Sequence, residues 1–365
     1  MTPSPEAYVR FHESVEVPQP NEEQSFTDLA STMVHISTMI NDRCRHAARS
    51  VHAKSHGLLR AELKVLEQLP PELAQGLFQP GKVYPAIMRF STNPGDILPD
   101  SISSPRGLAV KLLNVEGSMV AEHEGQTTQD IVMVNAKSFP DKDAAKFLES
   151  VKLLEPHVND SEVLKQVVST TAQAAETVLE AAGTESALLK NFGHLQTNVL
   201  GETFFTIVPV RYGDYIAKIC LEPESENLKE LFRKHVDGGG HSPLRDAVVE
   251  FFKTEDAVWA LKVQLCKDLT AMPVEDASVL WPEDVSPFRT VAYLTAGRQD
   301  AYSAARRTFV DERLSFNPWH ALEAHRPLGN IMRARKLAYA LSSAFRHENN
   351  GQAPVEPGSI SELPA

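Results

Sequence analysis

The sequence predicts an α+β protein: a closed antiparallel β-barrel with helices outside it and a long helix toward the C-terminus. Three observations predict this. Runs rich in apolar and β-branched residues fall into two groups, 84–91, 107–114 and 130–135, then 203–210, 214–221 and 258–266. Between the groups, residues 142–190 switch to helical spacing. Strand clusters interrupted by helical excursions and followed by a final helix fit a sheet closed on itself.

The elements follow in order. Residues 1–24 are rich in Pro and Glu and read as an extended arm. From Ser25 a helix is expected, with Leu29, Met33, Ile36 and Ile40 at three- and four-residue spacing. Asp28 lies in its first turn, where the helix dipole favours an anion. A second helix is expected from about Leu58 to Glu67, stopped by Pro70-Pro71. Strands Tyr84–Ser91, Gly107–Asn114 and Asp130–Asn135 come next. The helical insertion carries Phe147, Val151 and Leu154, then Val163, Val167 and Val168, and continues through the Ala-rich run Thr170–Ala182. Strands return at Thr203–Val210, Asp214–Leu221 and Val258–Cys266. Residues 25–347 therefore read as one domain. Residues 348–365, with three prolines, two glycines and scattered acids, read as a disordered tail.

Composition excludes several functions. The formal net charge of -12 argues against nucleic acid, because phosphates call for a basic surface. No run of about 18 apolar residues is present, so no membrane span is expected. The N-terminal Met1 to Glu6 has neither a basic start nor an apolar core, and does not read as a signal peptide. Cys44, Cys220 and Cys266 are odd in number and far apart, as expected of reduced thiols in a cytoplasmic protein. No C-x-x-C-H motif is present.

Three segments carry chemistry. Arg49-Ser50-Val51-His52-Ala53-Lys54 and Arg89-Phe90-Ser91-Thr92 bring a histidine, two arginines and a serine to the start of the β-rich region. Arg335 and Tyr339 stand one helical turn apart, on one helix face. A phenol ordinarily titrates at about 10, so holding iron as phenolate at neutral pH needs a nearby cation, and Arg335 is placed to supply it. A distal histidine and an arginine-supported tyrosine outline a haem site with Tyr as axial ligand.

In these segments the chain resembles the haem catalases. Those proteins carry R-x-V-H-A-K, R-F-S-T, P-R-G-x-A-V-K and R-x-x-x-Y in that order. Here they read Arg49 to Lys54, Arg89 to Thr92, Pro105 to Lys111, and Arg335 to Tyr339. Leu314-Ser315-Phe316-Asn317-Pro318 and Val279-Leu280-Trp281-Pro282 are also similar to the family. The matches span residues 49–346, and the chain most resembles the small core-only relatives. The resemblance implies an eight-stranded antiparallel barrel with non-covalent haem b beside it, acting on a peroxide with or without an organic reductant.

It also implies roles. Tyr339 is the iron ligand, and His52 the acid/base that moves a proton between peroxide oxygens. Ser91 hydrogen-bonds His52. Arg49, Arg89 and Arg346 face the haem propionates or the tyrosine, with Arg335 beside Tyr339 and Phe139 on the distal haem face. Val51, just before His52, contacts the cofactor. Where the family has an asparagine after a glycine, this chain has Gly125-Gln126-Thr127-Thr128. Gln126 takes that place with an amide about 1.5 Å further out, a displacement worth roughly a hundredfold in a positioned step. Thr127 or Thr128 is the alternative there.

Two further functions stay open. Catalase-like allene oxide synthases rearrange fatty-acid hydroperoxides, typically with threonine where this chain has Val51, which favours peroxide turnover. A haem carrier or sensor would need Tyr339 and the arginines but not His52 with Ser91. Gly238-Gly239-Gly240 lacks the ending of a phosphate loop, and His52 with His56 lacks the helix and glutamate of a zinc site. A homodimer or homotetramer is expected, since closed symmetric assemblies are common.

Overall fold

The structure is a computed structural model that describes residues 8–102, 104–160, 196–236 and 240–365. Nine strands form one antiparallel sheet among these residues: β1 (Lys54–Val65), β2 (Val83–Thr92), β3 (Arg106–Leu113), β4 (Thr128–Val134), β5 (Phe204–Phe205), β6 (Val210–Tyr212), β7 (Tyr215–Pro223), β8 (Ala257–Leu265) and β9 (Arg289–Ala296). β5 pairs with β4 on one side and β7 on the other, which closes eight strands into a barrel, and β6 is a hairpin strand on the outer edge of β7. Phe90, Phe204 and Trp259 fill the interior, with Phe90 5.8 Å from Phe204 and 6.1 Å from Trp259 between ring centroids. Four longer helices lie outside: α1 (Glu22–Cys44), α2 (Ala144–Leu154), α3 (Pro243–Thr254) and α4 (Asn330–Asn350).

Most expected strands stand within a residue or two of their predicted bounds, and the helix expected from Ser25 begins at Glu22. The helix expected over 58–67 is strand β1. Leu, Arg, Ala, Glu and Lys there favour helix locally, but ten residues of β1 pair with β2 and its far end pairs with β9. Leu59, Leu63 and Val65 point into the core at period two, so tertiary pairing overrides propensity. β9 has no counterpart in the sequence reading. The strand expected over Thr203–Val210 splits into β5 and β6, broken at Ile207, whose φ of 56° leaves the extended region, and at Pro209. Of the arm, residues 8–21 run largely extended, with one bridge from Arg10 to Tyr215. Of the insertion, α2 is present, while Val163, Val167, Val168 and Thr170–Ala182 lie outside the described residues, as do Gly238 and Gly239.

The tail expected to be disordered is packed. Leu363 has no exposed surface and sits with Leu58, Ile87, Val310 and Leu314 on the outside of β1 and β2. Ser359 and Glu362 form a reciprocal cap on a short turn, Ile360–Glu362. Glu356 is 2.5 Å from the Lys111 ammonium, which is wholly buried and also 2.8 Å from Asp130. Val355, Ile360, Leu363, Glu356 and Glu362 each find a specific partner, which bulk composition cannot show. No helix among the described residues is long and apolar enough to cross a membrane.

Candidate active site

The loop from α1 to β1 meets the C-terminal end of β2 and one face of α4. It is pinned there by serines: Ser50 Oγ lies 2.8 Å from Ser37 Oγ on α1 and 2.7 Å from Ser342 Oγ on α4. Around this junction is a cavity of about 430 Å³. Its walls include Val51, His52, Asn93, Pro105, Val132, Val134, Phe139, Ala334, Arg335, Ala338 and Tyr339. Of the predicted site residues, His52, Val51, Phe139, Arg335 and Tyr339 are thus brought together around one space.

His52 takes φ = 56°, a conformation rare for a residue with a side chain and often held at functional sites. Its backbone N–H donates to the Asn93 carbonyl at 2.7 Å, and the next N–H, of Ala53, donates to Pro94 at 3.0 Å. Nδ1 is 3.1 Å from Ser91 Oγ, as the sequence predicted. A Ser91 hydroxyl that donates to the Gly107 carbonyl (3.4 Å) would accept from Nδ1–H and leave Nε2 with its lone pair. Burial first, then the charges of Arg89, Arg335 and Arg49, push the imidazole down to about 3, so it is neutral at physiological pH. A neutral ring with a free Nε2 is a proton acceptor.

The arginines do something the sequence did not show. Arg49 donates to Asp311 Oδ1 at 3.1 Å and to the carbonyls of Asp311, Val310 and Leu314. Arg89 donates through Nε to the same Asp311 Oδ1 at 3.1 Å, and through Nη2 to the carbonyls of His52 and Ala53. Arg346 donates to the carbonyls of Asp311 (2.5 Å), Glu312 (2.7 Å) and Leu314 (3.2 Å). The shared acceptor segment, Thr308–Arg313, is a π-helical turn, with the Leu314 N–H reaching the Phe309 carbonyl. Burial alone would raise the Asp311 carboxyl; Arg89, Arg49 and the Ser55 hydroxyl hold it below its ordinary value. Burial and the neighbouring Arg89 and Arg346 in turn lower Arg49. Asp311 is the site-organising residue that sequence reasoning missed, and its only sequence signal is its place three residues before the Leu314–Pro318 stretch.

A second cavity of about 550 Å³ shares Met33, Val51, Ala338 and Tyr339 with the first. Arg49, Arg346, His123, Phe316 and His320 line it. So does Gln126, which is exposed and contributes nothing to the cavity that holds His52. This corrects its placement beside the histidine. Leu113 pairs with Thr128 at the start of β4, and the preceding residues Glu122, His123 and Gln126 line the second cavity, with Glu122 paired to Lys336 on α4. Thr128, an alternative, is committed to His320 (2.8 Å) and Glu356 (2.6 Å). Arg335 sits 5.7 Å from the Phe139 ring centroid and 3.9 Å from Met332 Sδ, and no hydrogen bond to the Tyr339 hydroxyl occurs among the described residues.

The residues fit a haem. The first cavity is walled mostly by apolar side chains, with a phenol and a neutral imidazole both on its lining, and the second adjoins it across Tyr339 with two arginines at its edge. A flat apolar macrocycle with carboxylate arms asks for that chemistry. Most donors of Arg49 and Arg346 are already taken by Asp311 and the carbonyls around it, which leaves the Nε of each for a propionate.

Comparison with known proteins agrees with this fold. The Catalase family model matches residues 16–357. Catalase isozyme 2 of Cucurbita pepo is 25% identical over 298 residues, covering 77% of this chain and 56% of its own. A catalase of Capsicum annuum is 25% identical over 297 residues, covering 77% and 57%. The chain therefore spans under two thirds of the length of these relatives. Among solved structures, a fungal catalase superposes with a TM-score of 0.61 at 17% identity, over 90% of this chain and 68% of that one. Catalase A of Saccharomyces cerevisiae gives 0.60 at 15% identity, over 90% and 70%. The chain belongs to the catalase family.

Proposed function

We propose that this protein binds haem b non-covalently and decomposes peroxide, with Tyr339 as iron ligand and His52 as acid/base. The observation that carries this reading is that Tyr339 and a neutral, Ser91-anchored His52 line the same apolar cavity. Bound haem supplies the redox chemistry that cleaves the O–O bond. His52 Nε2 accepts the proton from the peroxide oxygen and returns it to the departing oxygen, which leaves as water. Ser91 and the Gly107 carbonyl keep the ring in the tautomer that can do so. Phe139 and Val51 limit water around the reacting oxygens. Arg335 stands one helical turn before Tyr339 on α4 and lines the same cavity. Asp311 holds Arg49 and Arg89, and through Arg89 the backbone of His52.

The test is reconstitution with haemin. The wild type should give a Soret band and release dioxygen from hydrogen peroxide on an oxygen electrode. Tyr339→Phe should lose the tyrosinate signature, and His52→Ala should keep the haem but lose dioxygen release. Haem uptake unchanged in both, with turnover intact, would reject the assignment. Leu29, Met33, Phe147, Ile207 and Leu280 on the wall support a second reading, in which the substrate is an organic hydroperoxide. Faster turnover of such a substrate than of hydrogen peroxide would select it.

A further inference from the structure

We infer that Asn93 supplies the second polar contact to a peroxide held beside His52, the role expected of Gln126. The inference rests on the peroxide reading above. Moving a proton from one peroxide oxygen to the other calls for an acceptor at the first and a donor that steadies the pair while charge builds. His52 Nε2 is the acceptor. A carboxamide suits the second task, because it donates N–H bonds and does not compete for the proton.

Asn93 is the amide in the right place. It lines the cavity that holds His52, and Gln126 does not. Its backbone is fixed at both ends: its N–H donates to Pro105 at 2.9 Å, and its carbonyl accepts from the His52 N–H at 2.7 Å. The two loops also touch backbone to backbone, since a Cβ on Gly95 would lie 2.3 Å from the Ser50 carbonyl oxygen. The Cα of Asn93 is therefore held against the backbone of His52. Asparagine in a loop commonly turns its side chain back on its own backbone two residues on. Here the half-buried carboxamide of Asn93 makes no such bond and has no hydrogen-bond partner among the described residues. Ser91 and Arg89, its neighbours on β2, are both engaged.

Cyanide binding to the ferric, haem-loaded protein, read from the Soret shift, tests this without turnover, because bound cyanide accepts a hydrogen bond through its nitrogen. Asn93→Val should weaken cyanide about tenfold, the worth of roughly one hydrogen bond, and lower dioxygen release with it. Gln126→Ala should leave cyanide binding within about twofold, the scatter ordinary for a surface change. Asn93→Ser keeps a polar side chain too short to reach and should weaken binding in the same direction, which covers a valine variant that fails to take up haem. Wild-type affinity in both Asn93 variants, or a tenfold loss in Gln126→Ala, would overturn the inference. A wild-type protein that takes up no haem, or whose Soret band ignores cyanide, would overturn the parent reading itself, before any variant is made.

Discussion

The ring of His52 occupies the space that a side chain at Gly107 would need: a Cβ there would lie 2.4 Å from Cε1 and 2.5 Å from Nδ1. Gly107 lies in β3 with extended backbone, so alanine carries no dihedral strain and the clash alone decides. Gly107→Ala should fold yet push the imidazole off Ser91. The expected loss of dioxygen release is about a hundredfold, the typical cost of misplacing a reacting group by an ångström. Near-normal circular dichroism with collapsed turnover would confirm it; full turnover would show that the ring position is not critical.

Asp311→Asn removes the anion between Arg49 and Arg89 while keeping the shape. Two guanidinium groups then face each other with little solvent to screen them. The expected cost is about 3–5 kcal/mol, as for breaking other buried ion pairs from one side. Urea unfolding measures it. A midpoint unchanged from wild type would mean that the backbone carbonyls of 310–314 suffice to hold both arginines.

Stability should fall in mild acid. Burial pushes His325 down to about 3, and its Nε2 must stay unprotonated because it accepts the Leu77 N–H at 2.9 Å. Between about pH 6.5 and 3 the unfolded chain binds a proton here and the folded chain does not, so stability rises with pH across that window. Full stability is thus present above about pH 6.5 and is lost as pH falls; one such histidine accounts for roughly 2 kcal/mol by pH 5. His320, pushed to about 2 by burial, Lys111 and His123, acts in the same direction. Urea midpoints at pH 7.5, 6 and 5 should decrease in that order, and a flat series would contradict the buried neutral state.

Leu363→Ala tests the packed tail. The side chain is wholly buried against Leu58, Ile87 and Leu314, so its loss should cost about 2–5 kcal/mol. A disordered tail would show no change in thermal midpoint.

The residues proposed to act, His52 and Tyr339, stood out in the sequence because motifs depend on residue type in short ordered runs. Arg335 and Tyr339 are close in sequence, His52 lies just before β1 and Ser91 on the adjoining β2, and the structure brings all but Ser91 to one cavity, with Ser91 bonded to His52. Gln126 was misplaced for a physical reason. Counting back along the chain from Phe139 fixes a residue's order but not the direction of a turn, and the turn before β4 faces the second cavity. Asp311 was not legible, because its partners are remote in the chain. Asp311 lies 262 residues from Arg49 and 222 from Arg89.

By itself the sequence determined the family, most of the strands, the helix that carries Tyr339 and the residues proposed to act at the site, since periodicity and motif are local properties. Only the tertiary structure decided that Leu58–Glu67 is largely strand, that the tail is packed, that Asp311 gathers the arginines, and which amide stands beside His52. Each of those outcomes turns on hydrogen bonds and burial between distant segments. Local propensity for helix or disorder is worth tenths of a kcal/mol per residue, and a full ladder of β pairing or a buried leucine outweighs it.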